Sequence, residues 1–416
     1  MGLTWSKPVG LAWPLEGDLL MSSLSLKGGD LSRLRQLNSV SVIKALRGAE
    51  PTTLSMLAER TGLSRPSTKD VVDELTGLGW VEEVPPTAGT MGRPARRYRF
   101  RADGGHLVGV DIGAHNIRAA LADLDGNVLA ETRRPARPDA PLEERLAAIK
   151  RAVMSCLDLG GLTMSDLWMV AVGTTGLVTP EGHIIMSASI PAWKDLDLAG
   201  LLGETFPCRV LIENDSRLAA LAETRRGVAR GARDVVFLHV GRRMGTGLIL
   251  DGKLHRGFGA AAGEIVMLPE TGWVTAPEDL NSSAVVPEGT PIEDAAGFTL
   301  AAARNGDAAA LDAVGRFTKK LGVGAAAAIL LLDPEIVVLG GGFSRSADVL
   351  LPPLRHRLER VCLRMPKLRG STLGDECVVL GAIDYAIDHL DQFFFAPDGP
   401  ALRPPVRPAV VPERTV

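Results

Sequence analysis

From residue 106 to about 392, short apolar runs alternate with helical stretches, and they do so in two rounds. The first round reads "LVGVDIG", "IRAALADLDGNVLAE", the helix "PLEERLAAIKRAVMSCL" and "LWMVAVGTTGLV". The second reads "DVVFLHVG", "GTGLILDGKLHRG", a helix around 308–332 and "EIVVLGGGFS". Strand-length runs separated by helices call for an α/β fold, with a helical layer covering each sheet. Two rounds predict two related lobes, and a cleft between lobes is a common place for a ligand. The lobes are expected at 101–229 and 230–394, with the final helix able to return to the first lobe.

Residues 31–80 follow a different period. Leu31, Leu34, Leu37, Val40, Ile43 and Leu46 recur at three-residue steps, as on one face of a helix. In "PTTLSMLAERTGLSRPSTKDVVDELTGLGWVEEVPP", Leu54, Leu57 and Ala58 predict a short amphipathic helix that Gly62 ends in a tight turn. Ser64 suits the N-cap of the next helix, and Pro66 fits its first turn, where the missing N–H has no partner in any case. Val71, Val72, Leu75 and Leu78 should pack inward. Ser64, Arg65, Ser67, Thr68 and Lys69 are then left at the exposed N-terminal end, which in a helix-turn-helix reaches base edges in the major groove. The strand-like pieces "WVEEV" and "RRYRF" flank "PPTAGTMGRPA" and predict a wing. Arg93 would stand at its tip, with Arg96, Arg97 and Arg99 along one arm, suited to phosphates or a narrow minor groove.

Charge agrees with that assignment. The whole chain has a net charge of −3. Residues 31–100 hold 11 Lys/Arg against 7 Asp/Glu, while 101–416 hold 33 against 39. The basic excess is confined to a winged helix-turn-helix at 31–100, so the expected partner is double-stranded DNA. Four scattered cysteines without a C-x-x-C argue for a reducing, cytoplasmic setting, and against a disulfide framework or a cysteine zinc site. No secretory signal fits the N-terminus, and "LGVGAAAAILLL" is too short to span a bilayer. Residues 1–30 read as a loose arm and 395–416 as a proline-rich extended tail.

Within the α/β body, Asp111 ends a strand and Gly113 follows in a turn, a placement that would suit Mg²⁺ near phosphates. "VLIENDSRLAALAE" puts Asn214 and Asp215 at a strand-to-helix junction, where a carboxylate can accept a hydroxyl proton. Glu264 follows a glycine-rich turn, and Gly340–Gly342 end a strand. "HVGRRMGTGLILDGKL" spaces Gly241, Gly245 and Gly247 like a phosphate loop, yet Arg242 and Arg243 occupy it. His115, His183, His239 and His255 are too dispersed for a metal site.

"ENDSRLAALAE", "AGEI" and "DPEIVVLGGG", in this order, resemble the repressor/ORF/kinase (ROK) family of sugar kinases and sugar-responsive repressors. The resemblance spans roughly residues 31–392 and includes the winged helix of the repressor branch. It implies a two-lobed, actin/hexokinase-like (ribonuclease-H-like) body and assembly into homodimers or homotetramers. It also implies that Ser189, Asn214, Asp215 and Glu264 meet a carbohydrate-like effector, Ser189 standing where the family usually has asparagine. The alternatives are an ordinary helix-capping role for Asp215 and a buried pair from Glu264 to Arg242 or Arg243.

Two departures carry meaning. Kinases of the family keep Gly-Thr at the place of Ala114-His115, and Gly-Thr-Gly at Gly241-Arg242-Arg243. Asp111, Gly113, Gly241, Arg242, Arg243 and Gly245 therefore read as degenerate phosphate loops, which argues against ATP/Mg²⁺ as cofactor and against catalysis. Asp215 is a vestigial base candidate. Arg242 or Arg243 is expected to pair with Asp111 or Glu264. The family's zinc histidine is replaced by Met267, and "LPETGWVTAPEDLNSSAVVPEG" holds no cysteine or histidine, so no zinc is expected. The resulting expectation is a ligand-responsive transcription regulator, which the family resemblance implies is a repressor. Its rivals are a sugar kinase with an appended DNA-binding domain and a ligand-independent repressor with a vestigial pocket.

Overall fold

The computed structural model describes residues 31–85, 95–395 and 404–405. The N-terminal arm, the wing tip with Arg93 and nearly all of the C-terminal tail lie outside the described residues.

The N-terminal module contains α1 (Leu31–Leu46), β1 (Thr52–Thr53), α2 (Leu54–Thr61), α3 (Arg65–Leu78), β2 (Val81–Val84) and β3 (Arg97–Phe100). Gly62, at φ 70°, ends α2 in the left-handed region, and Gly79, at φ 90°, does the same for α3. Both are conformations that glycine adopts without steric cost. The strands form a small antiparallel sheet in the order β1-β3-β2. Its core is Val42, Ile43, Leu46, Leu57, Val72, Leu75 and Trp80.

The first lobe contains β4 (His106–Ile112), β5 (Asn116–Asp123), β6 (Val128–Pro135), α4 (Leu142–Leu159), β7 (Leu167–Thr174), β8 (Leu177–Val178), β9 (His183–Met186), β10 (Leu196–Asp197), α5 (Leu198–Gly203), β11 (Arg209–Asn214) and α6 (Asp215–Arg225). The second contains β12 (Val235–Val240), β13 (Met244–Leu250), β14 (Lys253–Leu254), α7 (Ala276–Asn281), α8 (Ile292–Arg304), α9 (Ala308–Leu332), β15 (Ile336–Gly340), α10 (Ala347–Leu358), β16 (Lys367–Gly370) and α11 (Cys377–Phe395).

The two main sheets share one topology. The first runs β6-β5-β4-β7-β11 and the second β14-β13-β12-β15-β16. In each, an antiparallel three-strand meander is followed by two strands added in parallel. The turns β4–β5 and β12–β13 are therefore equivalent, one in each lobe.

The helices that leave these sheets are exchanged. α6 follows the last strand of the first sheet and packs against β12 and β13 of the second. α11 follows the last strand of the second and packs against β4 and β7 of the first. The two helices cross between the sheets at backbone contact. A Cβ on Gly381 would stand 1.9 Å from the carbonyl oxygen of Leu218, so no other residue fits there.

The distal end of α11 reaches the DNA-binding module. Trp80, 1% exposed, lies edge-on to Phe394 and Phe395 at centroid distances of 5.1 and 5.0 Å. It also meets Phe100 and Trp168 at 6.1 and 6.3 Å. Arg47 pairs with Asp391, donates to the carbonyl of Leu124 at 2.9 Å, and lies over the rings of Phe100 and Phe395. One aromatic cluster thus joins the module, the first lobe and the last helix.

Candidate nucleic-acid interface and interlobe cleft

Ser64 caps α3 by accepting from the Ser67 amide at 3.2 Å, and its hydroxyl also bonds that of Ser67 at 2.8 Å. Arg65, the first helical residue, is exposed and forms no ion pair among the described residues. Lys69 is exposed but paired with Asp73 one turn on. Two expected DNA contacts are corrected, one on the recognition helix and one on the wing. Thr68 is fully buried, and its hydroxyl donates to the Ser64 carbonyl at 2.9 Å. Arg97 is half-buried, and its Nε donates to the Pro51 carbonyl at 2.8 Å, fixing β3 against the segment before α2. Arg96 pairs with Glu83 at 3.2 Å and Arg99 with Glu82. Two wing arginines are thus held in local ion pairs, and Arg65 is the freest cation at the end of α3.

The interlobe cleft is where Asp111 of β4, Asp215 after β11, His239 of β12 and Glu264 come within one another's electrostatic influence. Asp215 opens α6, and its Oδ1 accepts from the Ser216 amide at 2.6 Å. Burial raises its proton affinity, against the pull of His239. Glu264, half-buried, is raised for the same reason, opposed by Arg217 and assisted by Asp215. The N-cap of α6 is Asn214, not Asp215. Its Oδ1 accepts from the Ser216 and Arg217 amides at 2.9 and 3.2 Å, while Nδ2 donates to the Gly176 carbonyl at 2.9 Å. The Asn214 amide is therefore spent on the scaffold, which corrects its assignment to a ligand. Ser189 is half-buried on the facing segment of the first lobe.

Asp111, also partly buried, has its proton affinity raised to about 7, first by burial and then by Asp215. A carboxyl that keeps its proton when folded, while the unfolded chain ionises, makes stability fall as pH rises from about 4 to about 7 and level off above. The slope for one such proton approaches about 1.4 kcal/mol per pH unit. Asp111→Asn is expected to flatten that slope, as read from urea midpoints between about pH 4.5 and pH 8.

The degenerate loops are the two equivalent turns. Arg145, 1% exposed, reaches from α4 and donates to the carbonyls of Gly113 at 3.1 Å and Arg137, which pins the β4–β5 turn. In the other turn, Gly245 and Gly247 lie within β13 rather than in a loop. A Cβ on Gly245 would meet Ser216 Oγ at 2.5 Å, and one on Gly247 the Ser216 carbonyl at 2.2 Å. These two glycines serve the contact of β13 with α6. Only Gly241-Arg242-Arg243 forms the tip. Arg242 and Arg243 are exposed, and neither pairs with Asp111 or Glu264, a correction to the expected salt bridge. Arg243 instead crosses the cleft, donating to the Ala188 carbonyl at 2.7 Å.

A buried charge network lies beside the cleft. Glu213 and Arg217, 2% and 1% exposed, pair at 3.0 Å. Arg256 completes the second oxygen of Glu213 at 2.5 Å and lies 5.3 Å over the Tyr385 ring of α11. Arg217 also holds the carbonyl of Ala260, whose φ is 56°. This network ties β11 and the loop leading to Glu264 to α11. None of these residues stands out in the sequence reading. The available signal was a Glu-Arg pair at i and i+4 in "VLIENDSRLAALA", with apolar runs on both sides of its polar centre.

A profile of the ROK family matches residues 107–269 and 289–389, covering both lobes and the cleft. The chain belongs to the ROK family. A profile of the IclR helix-turn-helix domain matches residues 37–85, the module that carries α2 and α3. Among ROK relatives, the xylose repressor of Caldicellulosiruptor bescii is 23% identical, over 88% of this chain and 99% of the relative. The glucokinase of Streptomyces coelicolor is 28% identical, over 68% of this chain and 98% of the kinase. A solved ROK transcriptional regulator, a homologue of the E. coli MLC protein, superposes with a TM-score of 0.66 at 21% identity, covering 85% of this chain and 97% of that one. The repressor-type alignments thus extend over the winged helix, whereas the kinase spans a smaller share of the chain. Among the described residues, no helix is long and apolar enough to cross a membrane.

Proposed function

We propose that this ROK protein is a DNA-binding transcription regulator, a repressor, that responds to a sugar or sugar-like small molecule held between its lobes. The observation that carries the reading is the docking of the winged helix on α11, the helix whose other turns touch the cleft network through Tyr385. The near full-length match to a xylose repressor supports it. As a homodimer, the protein would present two copies of α3 to half-sites about one DNA turn apart. Arg242 and Arg243 at the tip of a phosphate-loop hairpin support a sensor that works without ATP and Mg²⁺. Met267 and the absence of cysteine and histidine from 268–289 support folding without zinc. A second reading, a hexose kinase, is favoured by the glucokinase match and by Asp215 at the head of α6.

Footprinting on the DNA upstream of the protein's own operon tests the first reading. Protection of a pseudo-palindrome is expected, and Arg65→Ala should weaken it by about 1–3 kcal/mol if Arg65 reads a base edge. No protection at low salt, where phosphate attraction is strongest, would refute the reading. ATP-dependent phosphorylation of a hexose that is lost in Asp215→Asn would establish the second.

A further inference from the structure

Arg47, the residue after α1, ties the DNA-binding module to the body by charge, and two carboxylates flank it. Asp391 of α11 accepts from Nη1, and Nη2 donates to the Leu124 carbonyl at 2.9 Å. Nε instead faces Asp125, in the turn between β5 and β6. Nε and Asp125 Oδ1 stand 4.0 Å apart, with both side chains only 14% exposed. At that distance the charges attract, but no hydrogen bond forms. Both atoms are buried, and neither has a hydrogen-bond partner among the described residues. A buried donor and a buried acceptor left facing each other are costly, and about 1 Å of movement would satisfy both. The guanidinium also lies over the rings of Phe100 and Phe395, at 5.1 and 5.5 Å. That contact is less directional than a hydrogen bond, so it steadies Arg47 without selecting one carboxylate.

The two carboxylates belong to different parts of the body. Asp391 lies near the end of α11, the helix whose Tyr385 meets the cleft network through Arg256. The turn of Asp125 is gripped by α6, which begins at Asp215. Arg226, at the end of α6, donates to the Gly126 carbonyl at 2.9 Å, and a Cβ on Gly126 would meet its Nη2 at 2.6 Å. Arg226 also donates to Asp384 of α11 at 2.9 Å, which joins turn and helix at that level. Asp391 stands about two helical turns beyond that tie.

We propose that Arg47 is a two-position contact that sets how the winged helix sits on the body, held either by Asp391 of α11, as in the structure, or by Asp125 of the first-lobe turn. The exchange trades one charged hydrogen bond for another, so the positions lie close in energy. A small change at the cleft end of α6 or α11 is then enough to tip the balance. This rests on the regulator reading and specifies how the state of the body reaches the DNA-binding module.

Urea unfolding of the full chain tests the exchange without a ligand. Asp125→Asn is compared in the wild-type and Asp391→Asn backgrounds, and the comparison is repeated with Arg47→Met. In the Asp391→Asn background Arg47 turns to Asp125. Asp125→Asn should therefore shift the folding equilibrium about tenfold more there than in the wild type, a difference of about 1.4 kcal/mol. Arg47→Met should abolish that excess. Repulsion between the two carboxylates would also produce an excess, but one that survives Arg47→Met. Additive costs, or an excess that survives, overturn the proposal. The regulatory role is tested on the footprinted DNA duplex. Asp125→Asn favours one position and Asp391→Asn the other, so their affinities should move in opposite directions from the wild type and differ by at least about fivefold. Shifts in the same direction, or none, overturn that role. The unfolding curves report that both variants fold. If no duplex is protected, the regulator reading fails, and the unfolding comparison still decides whether Arg47 has two positions.

Discussion

Trp80→Ala is expected to lower stability by about 3–5 kcal/mol and to split one thermal transition into two. Trp80 is the ring around which Phe100, Trp168, Phe394 and Phe395 are arranged, and it is 1% exposed. Removing it leaves a cavity at the junction of three parts of the chain, and the surrounding backbone cannot collapse to fill it. The lobes retain their own cores, so the winged helix should melt first. Differential scanning calorimetry would show the extra transition, and limited proteolysis would cut near residue 100 before the body is attacked. Effector control should suffer with it, because a ligand acts on DNA binding only through a junction that differs between two states. A single, merely shifted transition would show that Arg47 and its bond to Leu124 suffice for docking.

The second large effect concerns the buried charges. Arg217→Ala leaves Glu213 with Arg256 alone and frees the carbonyl of Ala260, and it is expected to cost about 3–5 kcal/mol. Arg217→Met, which retains volume but not charge, should cost a similar amount, because the loss lies in the uncompensated carboxylate. Restoring neutrality with Glu213→Gln in the Arg217→Met background should recover part of it. Urea unfolding of the single and double variants measures the coupling directly. Additive costs would mean that the pair is incidental to the fold. The loop 256–264 should also loosen, since Arg217 holds it in a conformation in which Ala260 adopts a positive φ.

The sequence showed the helix-turn-helix through its punctuation: Gly62, Ser64 and Pro66 each permit only a few local structures. The two lobes were visible because strand and helix periods differ. The misplacement of Thr68 was avoidable. It precedes Val71, Val72 and Leu75 by three, four and seven residues, which puts it on their buried stripe. Arg97 and Asn214 were harder to place. Each makes its decisive bond to a distant carbonyl, Pro51 or Gly176, and local pattern carries no information about such partners. Gly245 and Gly247 show the same limit from another side. Their spacing fits a phosphate loop, yet the constraint on them is contact with Ser216 across the lobe boundary. The return of α11 to the first lobe was among the expectations, but the matching transfer of α6 to the second sheet was not, because amphipathic helices specify that they will be covered but not by which sheet.

That exchange has a consequence for biosynthesis. The helix that covers β4 and β7 of the first lobe is the last helix or strand among the described residues. While the ribosome works through the second lobe, the first lobe waits with one apolar face of its sheet uncovered. Trp80 and Trp168 wait with it, for Phe394 and Phe395. A nascent chain in this condition is open to wrong partners while the second lobe is made, and its final compaction is a long-range closure rather than a local one.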